Sequence, residues 1–229
     1  MAFSSVLDLV FPTICLTCGT FTRAAKTLCH DCLLAIPLHA GLFCCICGLP
    51  LPAGSTLCHR GAPYILGCAT KYRWSSVAAL VKTLKFSFQR QAAHALAQLL
   101  ILYARNIPFD FLDRPLVIPI PLSRQRERQR DFNQAEEIGG HFATYFRLPM
   151  ASRALKRLRN TMPQSSLALP RRAENVRGCF DVVKLSEVRG RDIILVDDVT
   201  TSGSTFFEAA TALRKAGAKT ILALAVAKA

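Results

Sequence analysis

The chain has 229 residues, of which 51% are hydrophobic, enough for one sizeable core and a small satellite domain. Its longest apolar stretch, 92–104, contains a histidine and a glutamine and is too short to cross a bilayer, and no basic segment with a cleavage site opens the chain, so we expect a soluble, cytoplasmic protein. Lysine and arginine exceed the acids by 29 − 15 = 14, a balance that favours a polyanionic partner, either nucleic acid or a pyrophosphate-bearing nucleotide precursor.

Nine of the ten cysteines lie within the first 68 residues, in a duplicated pattern. In each copy a CxxC pair is followed after ten residues by a third cysteine, which begins a second CxxC pair in the first copy, and the two copies are offset by 29 residues. Two CxxC pairs supply the ligands of a tetrahedral structural zinc site. The predicted zinc ligands are Cys15, Cys18, Cys29, Cys32, Cys44, Cys47 and Cys58.

The eighth position of this pattern is Gly61, so the second copy lacks one ligand. His59, Cys45 or Cys68 could replace it, or the second copy could bind no metal. The CxxC pairs could also combine across the two copies. Two disulfides are the alternative to zinc, but a cytosolic chain disfavours them.

Helix and strand patterns alternate after residue 68. We predict a strand over 69–74, helices over 75–86 and 91–105, a buried strand over 115–122, and a helix that ends near residue 146. Residues 123–135, SRQRERQRDFNQA, are predicted to be a loop between that strand and that helix. Its arginines offer bidentate donors for pyrophosphate, and they could equally contact phosphodiesters. Lys82, Lys85 and Arg90 would either face solvent or line the site.

Residues 193–226 have the pattern strand, loop, helix, strand. The apolar run IILV at 193–196 is typical of a strand buried on both faces of a parallel sheet. It ends at Asp197 and Asp198, and a hydroxyl-rich loop with one glycine follows. An amphipathic helix pattern and a second apolar strand complete the unit.

This loop has the residues of an anion-binding site. Backbone N–H groups at a helix start, with hydroxyls beside them and a glycine that permits close approach, bind phosphate. The two carboxylates would repel a phosphate but suit vicinal sugar hydroxyls or a metal ion. Phosphoribose carries both a phosphate and a diol. The P-loop pattern GxxxxGK[ST] does not occur here, and an ordinary strand-to-helix turn is the alternative.

Four apolar residues, two acids and a hydroxyl-rich loop around glycine resemble the phosphoribosyl pyrophosphate (PRPP) signature of type I phosphoribosyltransferases. The resemblance implies that Asp197 and Asp198 hold the ribose hydroxyls at the catalytic centre and that Mg²⁺ accompanies PRPP. The PRPP-binding candidates are then Ser123, Arg124, Thr200, Thr201, Ser202, Gly203, Ser204 and Thr205.

The chain resembles the ComF family of competence proteins in three features: the strand PLVIPIPL, the arginine-rich segment and the FNQA helix start. This family has GntX-like relatives, and its fold is similar to that of glutamine amidophosphoribosyltransferases. The cysteine pattern agrees with this family except at Gly61. In the family the residue before the phenylalanine is typically glycine, whereas Asp131 stands here. Residues 153–181 resemble the family's flexible loop, which closes over PRPP. That resemblance makes site candidates of Gln164, Arg171, Arg172, Asn175 and Arg177.

The resemblance implies an α/β fold: a type I phosphoribosyltransferase-like, mainly parallel sheet flanked by helices in residues 69–229, preceded by a small zinc-ribbon domain in residues 1–68. The first functional hypothesis is a PRPP-binding competence protein that handles incoming single-stranded DNA with a DNA-translocating helicase. The second is an active phosphoribosyltransferase acting on a small nitrogen acceptor. A third treats PRPP as a regulatory ligand of a binding module.

Overall fold

A computed structural model of the chain describes residues 13–22, 27–52, 58–86, 89–159 and 176–229. These parts contain helices and strands that we number in chain order. They are α1 (His30–Leu34), β1 (Phe43–Cys44), β2 (Ile65–Lys71), α2 (Ser75–Phe86), α3 (Gln91–Ala104), β3 (Leu116–Pro119), α4 (Arg124–Arg130), α5 (Gln134–Phe146), β4 (Leu155–Arg157), β5 (Phe180–Val182), α6 (Leu185–Val188), β6 (Ile193–Thr200), α7 (Ser204–Lys215) and β7 (Ile221–Lys228).

Five strands form one sheet in the order β1-β2-β7-β6-β3. The pairs β2–β7, β7–β6 and β6–β3 are parallel, and the short edge strand β1 is antiparallel to β2. β4 and β5 form a separate antiparallel pair. The mainly parallel sheet flanked by helices confirms the predicted fold class.

The sheet is buried on both faces, which explains why its central strands are apolar without interruption. Ile194 and Val196 of β6 pack with α2, α3 and α5 on one face. Ile193 and Leu195 pack with α7 and the β4–β5 pair on the other. Successive side chains of a strand point to opposite faces, so the two acids that follow are directed to different sides of the sheet.

The arginine-rich segment is a helix, so the loop predicted over 123–135 was wrong for most of its length. α4 begins after Ser123, whose side-chain oxygen accepts a hydrogen bond from the N–H of Arg126. Glu127 lies in its first turn, and arginine and glutamine have high helix propensity. The helix ends at Arg130, and the next residue, Asp131, has a φ of 57°, a left-handed conformation that glycine adopts more easily.

The FNQA sequence builds the junction between β3 and α5. The Asn133 side chain caps α5 by accepting a hydrogen bond from the N–H of Ala135 at 3.1 Å. Its amide also donates to the carbonyl oxygen of Ile120 at 3.0 Å, and Phe132 is buried. One side chain therefore fixes both the chain leaving β3 and the start of α5.

The second cysteine copy is hydrogen-bonded to the sheet, because β1 pairs with β2 at Phe43↔Leu66 and Cys44↔Ile65. β2 spans the position between residues 68 and 69 where the sequence suggested a domain boundary. The division into two domains stays a prediction. In the described ranges we find no helix with the length and apolar character that a membrane crossing requires.

Candidate functional site

The loop between β6 and α7 has the geometry of an anion-binding turn. Gly203, with a φ of 75°, directly precedes the first residue of α7. First-turn amides of a helix have no acceptor within the helix, so they are available to an anion. The hydroxyls of Ser202 and Ser204 lie 2.8 Å apart, and the buried Thr201 Oγ1 has no hydrogen-bond partner among the described residues. The loop therefore offers both amides and hydroxyls to a phosphate.

Tyr64 supports this loop from the side of the second cysteine copy. Its hydroxyl donates to the Gly203 carbonyl oxygen at 3.3 Å, and its ring packs against Phe206 of α7. A Cβ atom on Gly203 would lie 2.8 Å from the Tyr64 hydroxyl oxygen. Glycine is therefore required here for both its backbone conformation and its small volume.

The two acids lie at the carboxyl edge of the sheet, where ligands bind in open α/β folds. Asp197 Oδ1 accepts a hydrogen bond from the N–H of Asp198 at 2.9 Å. Asp198 is buried, and its Oδ1 accepts from the N–H of Val199 at 2.6 Å. Both carboxylates are thus held by backbone amides of their own strand.

The two acids differ in their electrostatic surroundings. Burial, together with the negative charge of Asp198, raises the pKa of Asp197 from 3.8 to about 7. The nearby charges of Lys85 and Arg157 act in the opposite direction without cancelling the rise. The Asp198 carboxylate pairs directly with Lys85, whose Nζ lies 2.7 Å from its Oδ2.

Three cations from separate elements surround the acids: Lys85 of α2, Arg126 of α4 and Arg157 of β4. Arg157 is buried, with its guanidinium over the ring of Phe180. Burial, with the charges of the neighbouring arginines, lowers the pKa of Arg126, which also interacts with both carboxylates. Sequence reasoning left Lys85 undecided, treated Arg126 only as one of the arginines of the segment 123–135, and did not single out Arg157. The signal for Arg157 was the strand LKR at 155–157. Side chains alternate between the two faces of a strand, so Arg157 lies on the same buried face as Leu155.

The predicted ligand-binding residues have three different outcomes. Ser123 is buried at the same carboxyl edge of the sheet as the two acids. It follows β3, whose last residue, Pro119, pairs with Val196, the residue before Asp197. Arg124 is the first residue of α4, but its side chain lies outside the described atoms. Arg177 is exposed, and its carbonyl oxygen accepts from the guanidinium of Arg159. The candidates in the segment 160–175, namely Gln164, Arg171, Arg172 and Asn175, lie outside the described residues.

The first cysteine cluster has the dimensions of a zinc site. The Sγ atoms of Cys15, Cys18, Cys29 and Cys32 all lie within 4.8 Å of one another, and the distance between Cys18 and Cys29 is 3.8 Å. A tetrahedron with metal–sulfur bonds of about 2.3 Å places its sulfurs about 3.8 Å apart. The four ligands come from one copy of the repeat, so pairing across the copies does not occur in these clusters.

The second cluster is completed by His59. Its Nδ1 lies 3.4 Å from Cys44 Sγ, and with Cys47 and Cys58 it forms a group whose ligand atoms are within 4.8 Å of one another. Cys45 lines a pocket beside the Gly203 loop. Cys68 is buried in β2, where its thiol contacts the carbonyl oxygen of Thr70. The arrangement selects one of the alternatives that the sequence left open.

The buried cysteine of each cluster, Cys15 or Cys44, favours the thiolate, which is the form that binds zinc. Burial raises the pKa of Cys15, but backbone N–H groups of Cys18 and Cys29 outweigh it, and the resulting pKa is about 6. Cys44 reaches about 6 in the same way, and proximity to Cys47 raises the pKa of Cys58 to about 11. Several thiolates at such short distances repel one another, and a cation would remove that repulsion.

Two families of domains match the chain. The double zinc ribbon domain matches residues 6–61, and the phosphoribosyl transferase domain matches residues 139–229. Among solved structures, the crystal structure of TT1426 from Thermus thermophilus has a TM-score of 0.31 and 18% identity, covering 59% of this chain and 72% of that one. A TM-score this low carries no argument about the fold.

Three curated relatives match different shares of the chain, and two of them cover about two thirds of it or more. The DNA utilization protein YhgH of Shigella flexneri is 32% identical over 91% of this chain and 87% of its own. Competence protein F of Haemophilus influenzae is 33% identical over 66% of this chain and 67% of its own, and competence protein ComFC of Bacillus subtilis is 31% identical over 44% and 39%. The cysteine clusters, the sheet and these relatives agree: the chain belongs to the ComF family of competence and DNA utilization proteins.

Proposed function

We propose that this chain is a ComF-type competence protein, which binds PRPP or a related phosphoribosyl ligand and handles incoming single-stranded DNA in natural transformation. One observation carries the ligand assignment: the Asp197–Asp198 pair and the hydroxyl-rich loop at 201–205 adjoin each other at the carboxyl edge of the parallel sheet. That edge is where α/β folds bind ligands.

The parts of PRPP correspond to separate parts of the site. The first-turn amides of α7 and the Thr201 hydroxyl suit the 5′-phosphate. The carboxylates of Asp197 and Asp198 accept hydrogen bonds from the ribose hydroxyls. Arg126 and Arg157 supply positive charge for the pyrophosphate, which Mg²⁺ would accompany.

A structural role suits the zinc. The first cysteine cluster would hold one ion and the second, with His59, another. Small segments with few large apolar residues depend on such a metal for their fold.

The DNA part of the proposal is supported by the relatives and by charge. Relatives that match most of the chain are named for DNA utilization and competence. An excess of 14 positive charges attracts the phosphate backbone of nucleic acid. In this proposal the protein meets single-stranded DNA in the cytoplasm, together with a DNA-translocating helicase.

Calorimetric titration of PRPP with Mg²⁺ into the zinc-loaded protein tests the ligand assignment. We expect binding by the natural chain and a loss of at least about tenfold in Asp197→Ala, because the ribose hydroxyls would lose a charged acceptor. Asp181→Ala, at an exposed carboxylate of β5, serves as the control and should bind normally. Equal affinity in the natural chain and Asp197→Ala would contradict the assignment.

The DNA assignment is tested by fluorescence anisotropy with a labelled oligothymidine and a duplex of the same length. We expect preferential binding of the single strand that weakens steeply with salt, since phosphate contacts release counterions. Equal affinity for the duplex, or binding that salt leaves unchanged, would contradict a role in handling single strands.

A further inference from the structure

Lys85 occupies a position that the signature of the loop does not explain. It lies one residue before the end of α2, and its Nζ is 2.7 Å from Oδ2 of Asp198. The two side chains are 22% and 8% exposed. This pair is therefore shielded from solvent. It differs in this from a surface ion pair, which contributes little to folding stability.

The pair lies at the ligand edge of the sheet. The other carboxylate oxygen of Asp198 is already held by the N–H of Val199 at 2.6 Å, so the backbone alone fixes the acid. An ammonium group has three N–H donors, so Lys85 can pair with Asp198 and also donate to an oxygen of a ligand that Asp198 binds.

Charge balance shows what this cation does for the site. Two adjacent carboxylates oppose an anionic ligand, and a divalent cation is the usual means of joining such groups. Lys85 lies against the more buried acid and supplies positive charge there. Arg126 and Arg157 add their charges near the same acids.

We propose that Lys85 is a positioning residue of the phosphoribosyl site: a built-in counter-cation of Asp198 that reduces the divalent-cation requirement for binding the ligand. The inference rests on the proposed function, because the ligand is the same. A purely structural ion pair would affect folding stability without changing how affinity depends on Mg²⁺.

The experiment compares PRPP binding in buffer freed of divalent cations and in about 5 mM MgCl₂. We expect the natural chain to differ by less than about threefold between the two buffers. Lys85→Met should bind at least about tenfold more weakly without Mg²⁺ and recover most of that loss when Mg²⁺ is added. Lys85→Arg keeps the charge and should resemble the natural chain. Lys82→Met, at an exposed position of the same helix, is the matched control.

Failure of the inference about Lys85 can be distinguished from failure of the proposed function. If the natural chain binds PRPP and Lys85→Met shows the same Mg²⁺ dependence, the inference is wrong and the proposed function stands. If the natural chain binds PRPP in neither buffer, both are wrong. Circular dichroism checks that each variant is folded, and Lys85→Gln provides a second neutral side chain should Lys85→Met not fold.

Discussion

Replacing Asp197 by asparagine should make the folded chain more stable at alkaline pH. The pKa of this carboxyl is raised from 3.8 to about 7 by burial and by Asp198. Between these values the folded state holds a proton that the unfolded state has released, so the free energy of unfolding falls as pH rises from 4 to 7. Above pH 7 the full penalty of the buried charge remains. Asparagine removes that charge and keeps the oxygen that accepts from the N–H of Asp198 at 2.9 Å.

The size of the effect follows from the shift. A change of about three pKa units corresponds to about 4 kcal/mol at most. Asp197 is only partly buried in the folded chain, so solvent screening reduces the expected gain to about 1–2 kcal/mol at pH 8.5. The penalty builds up between the unfolded and folded pKa values, so at pH 5, close to the unfolded value of 3.8, the advantage of asparagine should fall by about half or more.

Urea unfolding of the zinc-loaded protein at pH 5.0 and 8.5 measures this difference. Asp181→Asn, at an exposed carboxylate, is the control and should change the free energy of unfolding by less than about 0.5 kcal/mol at either pH. An advantage of Asp197→Asn that is the same at both pH values, or a loss of stability at pH 8.5, would refute the electrostatic reasoning.

Three further predictions test other parts of the structure. His59→Ala should lower the zinc content by about one ion per chain, whereas Cys45→Ser should leave it unchanged; metal analysis after dialysis decides between His59 and the other candidates. Asp131→Gly should raise the free energy of unfolding by about 0.5–1 kcal/mol, because the left-handed turn at φ 57° strains a residue with a Cβ; a decrease in the urea midpoint would contradict this. Gly203→Ala should destabilise by about 1–2 kcal/mol and weaken ribose 5-phosphate binding, since its Cβ would approach the Tyr64 hydroxyl; normal binding would show that the loop tolerates a side chain there.

The duplicated zinc pattern and the central strand–loop–helix unit were readable from the sequence because their determinants are local. CxxC spacing places two sulfurs within reach of one metal whatever surrounds them. The run at 193–196, buried on both faces, has the composition of a central parallel strand, and the loop after it contains its own glycine and hydroxyls. Periodicity likewise gave the helices α2 and α3 nearly to their ends.

The arginine-rich segment shows where local reasoning failed. Alternating charges around 124–130 suggested a ligand loop, yet the segment has good helix formers and a Ser123 cap. Charge pattern and helix propensity pointed to different structures, and hydrogen bonding at the cap decided between them. The same segment still brings Arg126 near the acids, but from a helix.

Tertiary structure alone decided which distant residues share the site and the second metal cluster. Lys85 lies more than 100 positions before Asp198, and Arg157 comes from a strand outside the main sheet. His59 was one of several possible ligands until the fold placed its ring beside Cys44. Sequence determines the residue types and local geometry of a motif. Which side chains approach it from other elements depends on strand order and helix packing, because those contacts join parts of the chain that no local pattern connects.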